Sequence, residues 1–575
     1  MKTSIEVNGR VIEAELGRPL LSVLREAGVD VPSLCNVEGL APSGACRLCV
    51  VEVEGETSLV PSCAHAVKSG MKVKTHSARA IEARRTIVEL LLADHPDDCL
   101  YCPRSGSCQL QELARELGVD SRRYGGARNS QKRDYSSESI IRDPEKCILC
   151  GRCVRTCEEI QAVAAIDFIG RGSSATVGTA FDQGLNVSSC IHCGQCVKAC
   201  PTGALREKSH LERVTAALAD ENKFVVVQSA PAISVTLAGQ YGMREGADPA
   251  GAMTAALRRL GFDRVFNTSF SADLTIMEEA TELVHRIEKG GTLPMMTSCS
   301  PAWIAFIETF YPQFIPNLST CKSPQQMLGA ILKSYFAQRE GIAAEKIFSV
   351  AVMPCTAKKF EASREEMGHE AVADIDAVLT TRELGKLLEQ RGLNLASLEP
   401  EDADTPFGER SSAGKLFGSS GGVMEAAIRT AYKMIVGEEL EELEVSSVRG
   451  LNGVKESKVK IGELEIAVAV VSGLGNAREL LETIERGEKS YHFVEVMSCP
   501  GGCVAGGGQP HGENSQELKS RIERLWEIDA SSALRLSHEN PAVLRLYREF
   551  LGEPCGERSH EFLHTSYSAR EGVVK

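Results

Sequence analysis

Long apolar runs are missing from this 575-residue chain. No stretch reaches the roughly 18 residues that a membrane-spanning helix needs, so no span is expected. The start, MKTSIEVNGR, lacks the apolar core of a signal peptide, which makes a cytoplasmic protein the expectation. Basic excess is missing too: 64 Lys and Arg stand against 78 Asp and Glu, a net charge of −14. A nucleic-acid footprint needs clustered cations, so nucleic acid is not an expected partner. No GxGxxG fingerprint opens a strand–helix unit, so any dinucleotide must be bound by a partner subunit. What remains is an ordinary globular composition, 43% hydrophobic and 25% charged. The length exceeds a single core of roughly 250–300 residues, so several domains are expected.

Cysteine is the exception, with 21 in the chain. Disulfide frames belong to short exported chains, and without a leader metal ligation is the better account. The stretch MSCPGGCVAGGGQP (497–510) sets Cys499 and Cys503 four apart among five glycines. One helical turn would present both thiolates to the same cluster. Glycine lets backbone approach a bulky ligand closely.

Taken in order, residues 1–78 read as a small β-rich, ferredoxin-like domain. SIEVNGRVIEAE gives two alternating strands about Asn8-Gly9, and Pro19 to Gly28 a helix. Cys35, Cys46, Cys49 and Cys63 then suit a [2Fe–2S] cluster, with a four-cysteine zinc site as the alternative. Residues 79–125 are helical by pattern around His95, Cys99, Cys102 and Cys108, which could equally be a zinc knuckle. A polar, glycine-rich linker (125–139) follows. In residues 139–209, Cys147, Cys150, Cys153 and Cys157 repeat the bacterial ferredoxin run, and Cys190, Cys193, Cys196 and Cys200-Pro201 repeat it again. The fourth cysteine of each run ligates the other cluster. One cluster therefore takes Cys147, Cys150, Cys153 and Cys200, and the other Cys190, Cys193, Cys196 and Cys157. Residues 210–575 read as α/β. FVVVQSAP, KIFSVAVMPC, ELEIAVAVVSGLG and HFVEVMSCPGG look like buried parallel strands, with helical stretches between them. Cys355 and Cys499 fall just past strand ends, where such folds hold cofactors.

Three segments carry a specific resemblance: TSCSPAW (297–303), MPCTAKKFE (353–361) and EVMSCPGGCVAGGGQP (495–510). With the N-terminal cysteines, they make the chain similar, over essentially its full length, to the large [FeFe]-hydrogenases with four accessory clusters. The His95 segment also resembles the large iron–sulfur subunit of respiratory complex I, which implies His95 as a [4Fe–4S] ligand. The resemblance implies one [2Fe–2S] cluster, three accessory [4Fe–4S] clusters and an H-cluster. The last is a [4Fe–4S] cubane joined through a cysteine to a di-iron unit bearing CO, CN⁻ and a dithiolate. It implies Cys355, Cys499 and Cys503 as cubane ligands, Cys503 as the bridge, and Lys358 aimed at a cyanide. Ala230, Pro231, Gln325, Met353 and Met497 would line the di-iron pocket. Glu279, Glu282 and Arg286 share one helix face by spacing. The resemblance strings Arg286, Glu282, Ser319, Glu279 and Cys299 into a proton path.

Monomeric members of the family carry two adjacent cysteines where this chain has Cys299-Ser300. Three readings follow: Ser300 ligates by oxygen, Cys299 ligates and the relay is altered, or Cys321 supplies the fourth thiolate. The variant, with NLSTCKSP (317–324), looks like subunits of multimeric hydrogenases. Ferredoxin, or flavin- and NAD(P)-binding subunits, are the implied electron partners, with H2 and protons as substrates. A hydrogen sensor and a pure electron-transfer subunit are the alternatives; the C-terminal cysteine motifs oppose the second. Cys555 reads as a lone structural thiol.

Overall fold

The computed structural model describes residues 1–125, 131–243 and 249–571; part of the 125–139 linker lies outside them. The N-terminal sheet has five strands in the order Arg10–Glu15, Lys2–Val7, Lys72–Lys74, Val50–Val53, Val60–Pro61. Asn8 and Gly9 turn its hairpin at φ 51° and 82°, the left-handed geometry that a two-residue hairpin loop requires. The helix Leu20–Glu26 buries Leu20, Leu21 and Leu24 against it. The next helix, Ala78–Asp94, is capped by the Ser77 hydroxyl. Its buried Arg84 donates to the carbonyls of Val50 and Thr75 at 2.7 and 2.8 Å, which ties the helix to the sheet. Leu34, Leu48, Val88, Leu110 and Leu113 form a core shared between the two.

A two-fold repeat follows: Ile140–Arg142 pairs with Leu205–Glu207, and Asp167–Ile169 with Thr176–Gly178, both antiparallel. Short helices Arg152–Arg155 and Gln195–Ala199 carry cysteines of the two runs.

The remainder is built on two sheets, where the strand patterns alone gave no division. The first is all parallel, ordered Arg264–Asn267, Phe224–Ser229, Ile347–Met353, Ala377–Thr380. All seven residues of Ile347–Met353 are buried, as expected of a strand covered on both faces. The second is ordered Met295–Met296, Phe493–Met497, Leu464–Ser472, Val454–Ile461, parallel except for its last, antiparallel pair. The long helix Thr268–Lys289 starts at an Asn267 cap and stops at Gly290 in the left-handed region. It packs on the helices Pro324–Ile331 and Gly422–Val436. No helix among the described residues is long and apolar enough to cross a membrane.

Candidate active site

Strand ends from both sheets meet at one cavity of about 90 Å³. Ala230 and Pro231 follow Ser229, Cys299 and Ser300 follow Met296, Cys355 follows Met353, and Cys499 follows Met497. Gln325, Lys358 and Cys503 complete the wall, with Met353 and Met497 themselves. The expected helical turn between Cys499 and Cys503 is not formed. Gly501 and Gly502 take φ 87° and 99°, which no helix tolerates, and fold the segment into a tight loop. A Cβ on Gly502 would lie 2.5 Å from the Ser420 amide nitrogen, and one on Gly506 would strike the Pro354 carbonyl oxygen. The two cysteines are thus brought together by close backbone packing rather than by helical spacing.

The chemistry of this wall fits a metal–sulfur cofactor. Burial pushes the Cys355 and Cys503 thiols up to about 12, so they become thiolates only where a metal binds them. Much of the remaining wall is apolar. Gln325 Oε1 is buried there without a partner among the described residues. Lys358 is 8% exposed and donates to Cys299 O at 3.2 Å and to Glu361 at 2.9 Å. Glu361 also accepts from Ser323 and Gln325, both at 3.0 Å. Sequence reasoning missed Glu361, because three residues after a lysine it reads as an ordinary helical ion pair.

Behind Cys299 the helix Thr268–Lys289 presents its acidic face. Glu279 is fully buried, and neither carboxylate oxygen makes a hydrogen bond among the described residues. Burial, then the neighbouring Glu282, pushes its carboxyl up to about 8. Ser319 donates to Glu282 at 2.7 Å, and Arg286 to its other oxygen at 2.6 Å. Ser300 lines the cavity and its hydroxyl lies 2.8 Å from that of Ser498. Of the three alternatives for the fourth ligand, Cys299 and Ser300 line the cavity and Cys321 does not. Its thiol lies 3.9 Å from Glu282, and its carbonyl is held by the Ser298 hydroxyl at 2.6 Å.

The cysteines of the two ferredoxin-like runs gather at two places. Cys147, Cys150, Cys153 and Cys200 surround one small cavity, and Cys157, Cys190, Cys193 and Cys196 another. The second set abuts the main site. Cys193 shares the main wall, and Gln195 donates to Cys499 Sγ and to Ala505 O, each at 3.0 Å. Gln195 was hidden inside the Cys193–Cys196 spacing, where the intervening residues carry no signal. Cys35, Cys49 and Cys63 are buried and Cys46 half-buried, with the Cys46 amide donating to Cys35 Sγ at 3.5 Å. His95 follows the helix Ala78–Asp94, Cys99 and Cys102 flank the short turn after it, and Cys108 precedes the helix Gln109–Glu116. His95 Nδ1 is buried without a partner among the described residues. Cys555 donates its amide to Glu278 at 2.7 Å and lies outside the cavity.

Comparison with known proteins agrees along the chain. Residues 223–507 match the C-terminal domain of the iron-only hydrogenase large subunit, and 515–570 match the iron hydrogenase small subunit. Residues 1–78 match a 2Fe–2S cluster binding domain, and 146–205 a 4Fe–4S dicluster domain. Residues 84–123 match the NADH-ubiquinone oxidoreductase-G iron–sulfur binding region. The chain is 47% identical to the NADP-reducing hydrogenase subunit HndD of Solidesulfovibrio fructosivorans over 99% of both chains. It is 41% identical to iron hydrogenase 1 of Clostridium pasteurianum, over 99% of this chain and 100% of that one. The [FeFe]-hydrogenase HydA1 of Chlamydomonas reinhardtii superposes with a TM-score of 0.58 at 43% identity, covering 64% of this chain and all of that one. The chain belongs to the iron-only, or [FeFe]-, hydrogenase family and is an oxidoreductase acting on H2.

Proposed function

We propose that residues 210–575 hold one H-cluster and that the preceding units, 1–78, 79–125 and 139–209, carry one [2Fe–2S] and three [4Fe–4S] clusters as an electron relay. When bound, the H-cluster supplies the reversible heterolytic cleavage of H2 into protons and electrons. Cys355, Cys499 and Cys503 would hold the cubane, and Cys299 and Ser300 line the same cavity. Lys358, fixed by Glu361, offers an ammonium to a ligand of the di-iron unit. Met353, Met497, Ala230 and Pro231 exclude water, and Gln325 lines the pocket with a carbonyl oxygen that has no partner among the described residues. Cys299 takes the first proton and passes it by acid–base steps to Glu279, Ser319 and Glu282. Cys157, Cys190, Cys193 and Cys196 would hold the accessory cluster nearest the main site, which would supply the electron exit toward ferredoxin or flavin- and NAD(P)-binding partner subunits in the cytoplasm.

One observation carries this reading: the Cys355, Cys499 and Cys503 thiols line one largely apolar cavity with Lys358, and behind Cys299 stands the Glu279 carboxyl, without a hydrogen-bond partner among the described residues. Maturation with the di-iron unit should give CO and CN⁻ infrared bands together with H2 turnover, and a matured sample lacking both refutes it. The Cys299→Ala variant should keep the bands and lose turnover. Loss of the cubane signal in that variant would make Cys299 a ligand instead.

A further inference from the structure

The proton path ends at a residue that cannot take up a proton. Arg286 donates to Glu282 and also to the carbonyls of Thr292, Pro316, Asn317 and Leu318, at 2.8–3.3 Å. A guanidinium stays charged at any working pH, so it steadies Glu282 but offers no site for the proton that Glu282 must release.

A second set of groups meets Glu282 from the other side. The C-terminal segment pairs with the loop after Ser319: Cys321 and His564 form an antiparallel bridge, Lys322 N donates to Leu563 O at 2.7 Å, and Thr565 N to Thr320 O at 2.8 Å. This pairing brings donor atoms of Glu282, Cys321 and His564 within 4.8 Å of one another. The Thr320 amide approaches Glu282 at 3.3 Å, and its hydroxyl lies 2.8 Å from His564 Nδ1. On the far edge of the ring, His564 Nε2 lies 3.0 Å from Glu278. Glu278 also accepts from the Tyr547 and Ser559 hydroxyls and the Cys555 amide. Burial pushes the Glu278 carboxyl up, but the bonds from His564, Ser559 and Tyr547 outweigh it and hold it below its ordinary value. Glu278 is therefore a fixed anion that orients the imidazole, Nε2–H toward itself and Nδ1 toward Thr320. One turn earlier the exposed His560 lies against His564, ring centroids 4.1 Å apart.

We propose that Glu282 passes its proton to the C-terminal segment, where His564 and His560 form an outlet joined to it by the Cys321 thiol. The Cys321 thiol, 3.9 Å from Glu282, gives its proton to His564 and takes the one released by Glu282, so it returns to its starting state. The exposed His560 ring, 4.1 Å away, takes the proton from His564 through water and releases it to solvent, leaving His564 neutral for the next one. The groups facing His564 are Glu278, Glu282, Cys321, Tyr547, Cys555 and His560, and among them His560 is the ionisable group open to solvent. The inference rests on Glu282 belonging to the proton path, as proposed above.

The test uses the matured full chain with His560→Ala, an exposed position that leaves the core intact. In weak buffer turnover should fall partially, short of the ~10²-fold loss of an obligatory proton-transfer group. Added imidazole should restore it, with unchanged CO and CN⁻ bands. A readout free of turnover is the imidazole nitrogen resonance of His564 in the chain lacking the di-iron unit. Its chemical shift should move in the Glu282→Gln variant. Wild-type turnover at every buffer strength, or a His564 resonance blind to Glu282→Gln, overturns the outlet. Full turnover in Glu282→Gln itself would overturn instead the path on which it rests.

Discussion

Replacing Glu279 with glutamine separates its roles in transport and in stability, because they respond oppositely to pH. Its carboxyl is pushed from 4.5 up to about 8, so at pH 7 it is protonated roughly ten to one. The unfolded chain releases this proton near pH 4.5 and the folded chain only near 8. Between those values the folded state holds more protons, so stability falls as pH rises. Complete ionisation costs the fold on the order of 5 kcal/mol at most, the equivalent of a move from 4.5 to about 8. The amide of Glu279→Gln cannot ionise and escapes that cost. It is instead buried with no partner, at about 1–3 kcal/mol. The variant should thus be less stable than the parent near pH 5 and more stable by roughly 2–4 kcal/mol above pH 8. Turnover should fall by ~10²–10⁴-fold, or about 3–5 kcal/mol in barrier, because the amide cannot pass a proton. Thermal unfolding of the catalytic unit across pH, with H2 evolution on the same samples, measures both. A stability difference that stays constant with pH would refute the burial argument, and parental turnover would refute the relay.

Other substitutions probe the grip and the wiring. Gln195→Leu removes the 3.0 Å N–H···S bond to Cys499; the cubane should become harder to reduce, since such bonds stabilise the more negative state. Spectroelectrochemistry reads the shift, and an unchanged potential places Gln195 outside the electronic environment of the cluster. Gly506→Ala drives a methyl against the Pro354 carbonyl and should cost about 1–3 kcal/mol. Iron analysis should show the cubane lost while the accessory clusters are retained, and full occupancy would show that the loop can yield.

What the sequence could reveal divides by distance along the chain. The ferredoxin runs were legible because their ligands recur within a few residues, and Ile347–Met353 because burial on both faces leaves an unbroken apolar run. The split into two sheets was not legible, since an apolar strand does not name its partners. The Cys499–Cys503 turn was misread for a local reason: four-residue spacing suits a helix, but Gly501 and Gly502 reverse the chain. Their number announced close packing without saying which backbone would fill the space, and the answer, Ser420 and Pro354, lies elsewhere in the chain. The same limit hid the polar groups behind the cavity. Glu278 looks like any acid on a helix face until His564, 286 residues away, closes on it. Glu278 and Glu279 are both fully buried neighbours, yet one gathers four donors and is held below its ordinary value while the other has no side-chain donor among the described residues and is pushed up to about 8. Burial alone would raise both carboxyls. Hydrogen-bond supply separates them, leaving Glu278 to hold an imidazole and Glu279 free to carry a proton.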